Sequence, residues 1–230
     1  MNKKRLLIIG GMGADAGVRL AQYALTEARQ NGAEKDEDYP DFVLYNLPVI
    51  GMDATGVVDA AIVYKQIIKA LKMFDHLDDK VNVAMIGCNS IHNLCAKIRK
   101  EYGGILLDMV ETVCGSVGKK YKCVGVLCSQ SSKVSGIYTV ELEKNFVRGI
   151  YTNETEQEEL NTAIENVIAG KSHENDGLAI DNVIKRMKRA GAEAVIVGCT
   201  ELPLAVYPDS NIIPLVDAGL ETIRKALSIL

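Results

Sequence analysis

The sequence has few histidines, no long apolar run and no concentration of positive charge. Its three histidines lack metal-ligand spacing to any pair of cysteines, which argues against a structural zinc site. No apolar segment reaches the roughly 18 residues that a membrane-spanning helix requires. Over 230 residues the net charge is −4 and no basic stripe is visible, so neither a membrane nor a nucleic-acid partner is expected.

The six cysteines show neither a CxxC motif nor the paired spacings of a disulfide framework. Several lie within apolar runs, which is typical of a protein that is kept reduced in the cytoplasm. Four are interpreted as packing residues: Cys95, Cys114, Cys123 and Cys128. The other two, Cys88 and Cys199, stand in matched settings and are interpreted differently.

Cys88 and Cys199 each follow an apolar, strand-like run that ends in glycine, and each precedes a small polar residue. The two segments are VAMIGCNS at 83–90 and AVIVGCTE at 194–201. A predicted helix follows each corner, and a helix N-terminus favours the thiolate form of a cysteine. Two such thiols could remove a proton from one face of a carbon and return one to the other face. Each cysteine taken singly could instead be a buried apolar packing residue.

Short apolar segments alternate with longer amphipathic segments along the chain, which predicts an α/β fold. The strands are apolar throughout rather than alternating, which indicates parallel sheets covered on both faces. The predicted strands are 5–10, 42–46, 81–87, 104–107, 122–127, 194–198 and 211–214. The predicted helices are 14–31, 57–75, 91–101, 109–119, 132–146, 155–169, 175–190 and 217–228. Residues 31–41 and 148–155 are predicted surface loops.

The second half of the chain repeats the pattern of the first. Residues 6–11 and 123–129 each form an apolar run that enters a small-residue loop, and each half then supplies one glycine–cysteine corner. We therefore expect two similar parallel-sheet α/β lobes with pseudo-twofold symmetry. One lobe comprises residues 1–108 and 215–230, and the other comprises 109–214. Ligands of such sheets bind beyond the carboxyl ends of the strands, so the active site is expected between the lobes.

Three motifs carry weaker signals. The glycine-rich loop at 10–17 differs from a dinucleotide fingerprint, because its third glycine is one residue late and no carboxylate follows Asn46. A tight turn is the preferred interpretation, and its N–H groups would also suit a carboxylate. His92 could pair with Cys88 for nucleophilic catalysis, but a structural hydrogen bond fits its apolar, helical setting better. No lysine stands at a recognisable corner, which disfavours a pyridoxal phosphate enzyme.

Several motifs together resemble the aspartate/glutamate racemase superfamily, most closely its aspartate racemase branch. They are GGMG at 10–13, NLP at 46–48, CNSIH at 88–92, the hydroxyl loop at 129–132, VSGIY at 134–138, GCTELPL at 198–204 and PLVD at 214–217. The likeness runs nearly from end to end. It implies an amino acid racemase that needs no cofactor or metal and interconverts enantiomers with two bases, Cys88 and Cys199.

The resemblance, together with the one position where the chain departs from it, gives a set of candidate substrate-binding residues. They are Gly11, Met12, Asn46, Asp53, Asn89, Ser90, Ser129, Ser132, Thr200 and Glu201. Backbone N–H groups and polar side chains in this set would hold the substrate α-carboxylate and stabilise charge that develops toward an enolate. The implied partner is a small amino acid, and the implied assembly is a cytoplasmic homodimer.

The chain departs from the aspartate racemase pattern where the family carries an arginine just beyond its N-x-P motif. Here the sequence reads IGMDAT at 50–55, with Asp53 or Ala54 at the arginine position. A family lysine in a later helix is also absent, since Ile168 aligns with it and Lys171 lies nearby. A carboxylate such as Asp53 would repel an acidic side chain and attract an amine. We therefore favour a neutral or basic amino acid as substrate.

Alternatives remain open at this point. Aspartate or glutamate could still be the substrate if Lys171, Arg19 or another cation held the side-chain carboxylate. Relatives in the superfamily isomerise maleate or decarboxylate malonates with a single active cysteine. A non-catalytic small-molecule binding protein on the same fold is the third reading.

Overall fold

The computed structural model describes residues 4–75, 81–171, 174–205 and 212–230. The strands are β1 (Lys4–Gly10), β2 (Phe42–Asn46), β3 (Met52–Asp53), β4 (Gly56–Val57), β5 (Val81–Ile86), β6 (Ile105–Leu107), β7 (Cys123–Cys128), β8 (Arg148–Ile150), β9 (Ala194–Gly198) and β10 (Leu215–Asp217). The α-helices are α1 (Ala14–Gln30), α2 (Ala60–Asp75), α3 (Cys95–Glu101), α4 (Met109–Gly118), α5 (Gln130–Ser135), α6 (Ile137–Lys144), α7 (Glu154–Ile168), α8 (Glu174–Arg189), α9 (Leu202–Ala205) and α10 (Ala218–Leu227). Two 3-10 helices span Asp36–Asp38 and Asn89–Leu94.

The chain divides into two compact units. The first unit contains Met1–Met52, Val57–Met109 and Gly219–Leu230, and the second contains Asp53–Gly56 and Val110–Ala218. Each unit holds one four-stranded sheet, ordered β2-β1-β5-β6 in the first and β10-β9-β7-β8 in the second. The strand pairs in both sheets are parallel. If the four strands of each sheet are numbered separately in chain order, both sheets have the spatial order 2-1-3-4. The prediction of two similar parallel-sheet α/β lobes is therefore confirmed.

Uninterrupted apolar strands form the centre of each unit. Every residue of β7 and β9 is buried, as are the last six residues of β1. In the first unit, α2 contributes Val63, Ile67 and Leu71, whose four-residue spacing places them on one helical face toward the sheet. In the second unit, α7 and α8 contribute a similar apolar layer. Burying one such side chain contributes about 1.5–3 kcal/mol, so these layers fix the sheet edges that carry the site.

Three predicted helices begin or divide differently in the structure by more than one residue. In the predicted helix 91–101, only Cys95–Glu101 is α-helical. The predicted helix 132–146 is two helices, because Gly136 between them has a left-handed φ of 68° that an α-helix does not accommodate. The predicted helix 57–75 begins later, at Ala60, because the Asp59 carboxylate accepts hydrogen bonds from the Ala61 and Ile62 N–H groups.

Within the two four-stranded sheets, one predicted strand is misplaced and one strand was not predicted. The predicted strand 211–214 is wrong over 212–214, and residue 211 lies outside the described part of the chain. The strand begins only at Leu215, since Pro214 has no N–H and contributes just its carbonyl, which accepts from Val195 N–H. The predicted loop 148–155 contains the edge strand β8, which is three residues long and has no apolar run to reveal it. No helix within the described ranges is long and apolar enough to cross a membrane.

Candidate active site

Each glycine–cysteine corner lies where the strand order of its sheet reverses. In the first unit, the chain leaves β1 toward β2 and leaves β5 toward β6 on the opposite side, so a crevice opens beyond the ends of these adjacent strands. Cys88 follows β5 at this point. In the second unit, β7 and β9 have the same relation, and Cys199 follows β9. Both cysteines therefore occupy the position where open α/β sheets bind ligands.

The glycine loop after β1 is shaped by close backbone packing. A Cβ on Gly10 would lie 3.0 Å from the Cα of Gly17, so α1 packs directly against the end of β1. Gly11 has a φ of 96°, and a Cβ there would lie 2.2 Å from the Leu47 carbonyl oxygen. Met12 is buried in the apolar cluster that also contains Cys88. The late third glycine of the loop is thus explained by packing between helix and strand.

The Cys88 corner is buried and held by backbone contacts. Gly87 N–H donates to the Ile9 carbonyl at 2.8 Å, and a Cβ on Gly87 would lie 2.9 Å from a Leu20 methyl group. Cys88 is 8% exposed, and its Sγ lies 3.2 Å from Ser90 Oγ. The segment that follows is a six-residue 3-10 helix rather than the predicted start of an α-helix. Its short run of aligned peptides gives a weak dipole, so any activation of this thiol depends on side chains nearby.

His92 lies in this 3-10 helix and forms a buried cluster with Cys95 and Asp108. Its Nδ1 is 2.9 Å from Cys95 Sγ and 3.4 Å from Asp108 Oδ1, and its side chain is 1% exposed. Burial is the largest single effect on the ring, and it disfavours the charged form. The combined effect of Cys95 and Asp108 is greater and opposite, so the pKa of His92 is raised well above its ordinary value. Among described residues, this is the one group of three or more metal-ligating side chains with close donor atoms. Two of these donor atoms, His92 Nδ1 and Cys95 Sγ, already form a hydrogen bond with each other.

Two buried serines follow β7 in the second unit. Ser129 caps α5 by accepting from Ser132 N–H at 3.4 Å, and its hydroxyl donates to Ser132 Oγ at 3.1 Å. The carbonyl of Cys128 just before them accepts from the Gln157 amide at 3.1 Å, which ties the loop to α7. Burial raises the pKa of the Cys128 thiol to about 12, with a smaller opposite effect from Lys133. Cys128 is therefore an inert neighbour of the two hydroxyls near neutral pH.

The segment Asp53–Gly56 docks against these serines. The Thr55 carbonyl accepts from Ser131 N–H at 2.8 Å, and Ala54 packs on the apolar cluster that contains Cys199. The exposed Asp53 carboxylate accepts from Thr55 N–H at 2.8 Å and from its hydroxyl at 2.6 Å. Asp53 is thereby fixed in the second unit, within a loop that touches the serine-bearing helix.

The Cys199 corner has an acidic partner. A Cβ on Gly198 would lie 2.5 Å from the hydroxyl oxygen of Tyr138, which is 1% exposed, so only glycine fits before this cysteine. The Cys199 thiol donates to Glu201 Oε2 at 3.0 Å, and the Thr200 hydroxyl donates to the same oxygen at 3.1 Å. A carboxylate that accepts this thiol proton favours S–H over the thiolate, because the thiolate would add a second negative charge beside it.

The predicted site residues fall into two sets, one at the carboxyl edge of each sheet. The first unit holds Gly11, Met12, Asn46, Cys88, Asn89 and Ser90. The second unit holds Asp53, Ser129, Ser132, Cys199, Thr200 and Glu201. Two further residues, Asp108 and Gln157, were not identified from the sequence. The Asp108 carboxylate contacts His92, and the Gln157 amide donates to the Cys128 carbonyl.

The two cations considered from the sequence have other settings. The Arg19 guanidinium donates to the Tyr23 hydroxyl at 2.7 Å and stacks over its ring, one helical turn along α1. Lys171 is exposed beyond the end of α7. The Arg19 side chain is therefore engaged within α1, and Lys171 lies beyond α7.

Comparisons with known proteins are consistent across nearly the whole chain. Residues 9–226 match the family described as Asp/Glu/Hydantoin racemase. An aspartate racemase from Picrophilus torridus is 25% identical over 97% of this chain and 94% of that chain, with a TM-score of 0.76. An aspartate racemase homologue from Pyrococcus horikoshii is 21% identical over 98% of both chains, with a TM-score of 0.81. A glutamate racemase from Bacillus anthracis is 12% identical over 99% of this chain and 81% of that one, with a TM-score of 0.71.

Proposed function

Since the chain belongs to the Asp/Glu/hydantoin racemase family, which is a family of isomerases, we propose that it is a cofactor-independent amino acid racemase with Cys88 and Cys199 as its two bases. The observation that carries the proposal is the equivalent placement of the two thiols. Each follows a glycine against which a buried side chain packs closely, at the strand-order reversal of its own sheet. A cysteine that served only as core packing would not need this position in both units.

In the proposed reaction, one cysteine acts as a thiolate and removes the α-proton of the amino acid. The other acts as a thiol and protonates the opposite face of the same carbon, and the roles reverse for the other enantiomer. Thiols suit this task, because both protonation states can be available near neutral pH. The two ionisations would be coupled, so a pH profile would report the pair rather than either cysteine.

Buried hydroxyl and amide groups would bind the α-carboxylate. The candidates are Asn89, Ser90, Ser129, Ser132 and Thr200. Ser129 and Ser132 are already ordered by the cap of α5, so little reorganisation would be needed when negative charge develops toward the enolate. Glu201 is assigned a different role, as the acceptor of the Cys199 thiol proton.

We propose a neutral or basic amino acid as the substrate. The Asp53 carboxylate is held in the loop that docks on the serine-bearing helix. An acidic side chain near this carboxylate would need a compensating cation. Arg19 stacks on Tyr23, and the Lys133 amine of α5 donates to the Thr152 carbonyl at 2.7 Å. These contacts support the assignment of a substrate without a side-chain carboxylate.

The test is proton NMR of the protein with individual L-amino acids in D2O, without pyridoxal phosphate. Loss of the α-proton signal with lysine, ornithine or a neutral amino acid is the expected result. Faster loss with aspartate or glutamate would retain the racemase and refute the substrate assignment. Absence of exchange with every amino acid would refute the racemase itself, and dicarboxylic acids would then test the isomerase and decarboxylase alternatives.

A further inference from the structure

The proposed mechanism leaves one buried ionisable cluster unused, that of His92, Cys95 and Asp108 in the first unit. The His92 side chain is 1% exposed, and Asp108 is 14% exposed. Burying an ionisable ring costs free energy, and buried ionisable groups with specific charged partners cluster at functional sites as well as in structural networks. The cluster belongs to the same 3-10 helix that Cys88 precedes.

The geometry fixes a proton on His92 Nδ1. This nitrogen lies 3.4 Å from Asp108 Oδ1 and 2.9 Å from Cys95 Sγ. A carboxylate only accepts hydrogen bonds, so a bare nitrogen lone pair facing it would be repelled. A negative charge at this distance also favours the doubly protonated ring, and the raised pKa of His92 agrees. The groups identified as acting on the ring are Cys95 and Asp108.

A charged His92 would act on Cys88 through space. The two residues are four positions apart, and a 3-10 helix rises about 2 Å per residue, so their backbones are separated by about 8 Å. At an effective dielectric constant of about 20, an unpaired positive charge at that distance would lower the ionisation midpoint of a thiol by at most about 1.5 pH units, and the Asp108 carboxylate beside His92 offsets part of this shift. The intervening residues Asn89, Ser90 and Ile91 are buried, so screening by solvent is limited.

We propose that His92 is a positioning residue that stays protonated against Asp108 and holds Cys88 as the thiolate in the resting protein. The inference rests on the proposed function and adds to it which cysteine is the base in the resting protein. Cys199 is held as the thiol by Glu201, so the two corners have opposite electrostatic partners. The resting protein therefore begins with one base and one acid, which two-base racemisation requires. It first accepts the enantiomer whose α-hydrogen faces Cys88.

The first test measures the His92 proton in the unmodified protein. The chain has only three histidines, so nitrogen-15 NMR of the imidazole groups is tractable, and the His92 signal is the one lost in His92→Gln. If that variant does not fold, the signal that shifts in Asp108→Asn identifies it. The expected result is a doubly protonated ring at pH 7. A neutral ring at pH 7 would overturn the proposal without reference to any activity.

The second test follows the Cys88 thiolate by ultraviolet absorbance, as the difference between each protein and the same protein carrying Cys88→Ser. Asp108→Asn should raise the ionisation midpoint of Cys88 by up to about one pH unit, because the neutral His92 ring no longer favours the thiolate. Asp59→Asn is the matched control, because it removes one carboxylate from the same unit at a helix cap where asparagine serves equally well. Equal midpoints in the unmodified protein and Asp108→Asn would refute the inference.

The outcomes separate this inference from the proposed function. A shifted Cys88 midpoint with no α-proton exchange on any amino acid would keep the His92 assignment and refute racemisation. Exchange activity with an unshifted midpoint in Asp108→Asn would keep racemisation and refute the role of His92. A merely structural role for His92 would alter stability in Asp108→Asn but would leave the Cys88 midpoint where it was.

Discussion

Replacing Glu201 by glutamine should make Cys199 ionise at markedly lower pH. The two side chains are 5% and 8% exposed, and Sγ lies 3.0 Å from the carboxylate oxygen. Coulomb's law at an effective dielectric constant of about 20 gives roughly 5.5 kcal/mol of repulsion between a thiolate and a carboxylate 3.0 Å apart. That upper limit corresponds to about four pH units, and neighbouring charges in proteins usually shift ionisation by about 1–3 units. We expect a decrease of about two units.

The assay is the ultraviolet thiolate titration of Cys199, taken as the difference between each protein and its Cys199→Ser counterpart. Glu193→Gln is the matched control, since Glu193 is an exposed glutamate of the same unit that accepts from the Lys122 N–H. That control should leave the midpoint within a few tenths of a unit, because exposed charges are screened by solvent. A midpoint that is unchanged or higher in Glu201→Gln would show that the carboxylate does not hold Cys199 as the thiol.

Three further predictions concern packing, pH and specificity. Gly198→Ala places a methyl group against the buried Tyr138 ring and should lower the free energy of unfolding by about 1–3 kcal/mol. Gly115→Ala is the control, because this glycine lies in α4 with open space around it and its replacement should not destabilise the protein. Thermal unfolding of the two variants compares their stabilities. The pKa of His92 in the folded protein lies above its ordinary value of 6.5. Protonated His92 therefore contributes fully to the free energy of unfolding below about pH 6.5, and this contribution is lost as the pH rises through the folded-state pKa. Denaturant unfolding across that range should show this slope in the unmodified protein and a smaller slope in Asp108→Asn. Asp53→Arg should lower the rate of α-proton exchange with lysine relative to aspartate, and an unchanged ratio would contradict the substrate assignment.

The sequence was most informative where one physical cause determines the structure locally. Buried parallel strands are mostly apolar, so β1, β5, β7 and β9 were located within one or two residues. The two glycine–cysteine corners could be identified because each follows such a strand directly. Chain order then sufficed to predict that both sheets have the same arrangement.

Features that depend on contacts distant in the chain were not predictable. The short edge strand β8 is defined by pairing with β7, and nothing in its three residues indicates a strand. Asp108 lies 3.4 Å from His92, and the Gln157 amide reaches the Cys128 carbonyl; packing of separate elements creates both contacts. The division of one predicted helix at Gly136 could have been anticipated, because glycine is unfavourable within a helix.

The most direct test of the central claim is net inversion of an amino acid by Cys88→Ala and Cys199→Ala. Circular dichroism at a single wavelength follows conversion of the L-enantiomer that exchanges fastest in D2O. Cys123→Ala is the matched control, because Cys123 lies in the sheet whose strand β9 Cys199 follows, and it is 7% exposed against 8% for Cys199. The control should invert the substrate, and both site variants should lose inversion. Inversion at the unmodified rate by either site variant would contradict the two-cysteine mechanism.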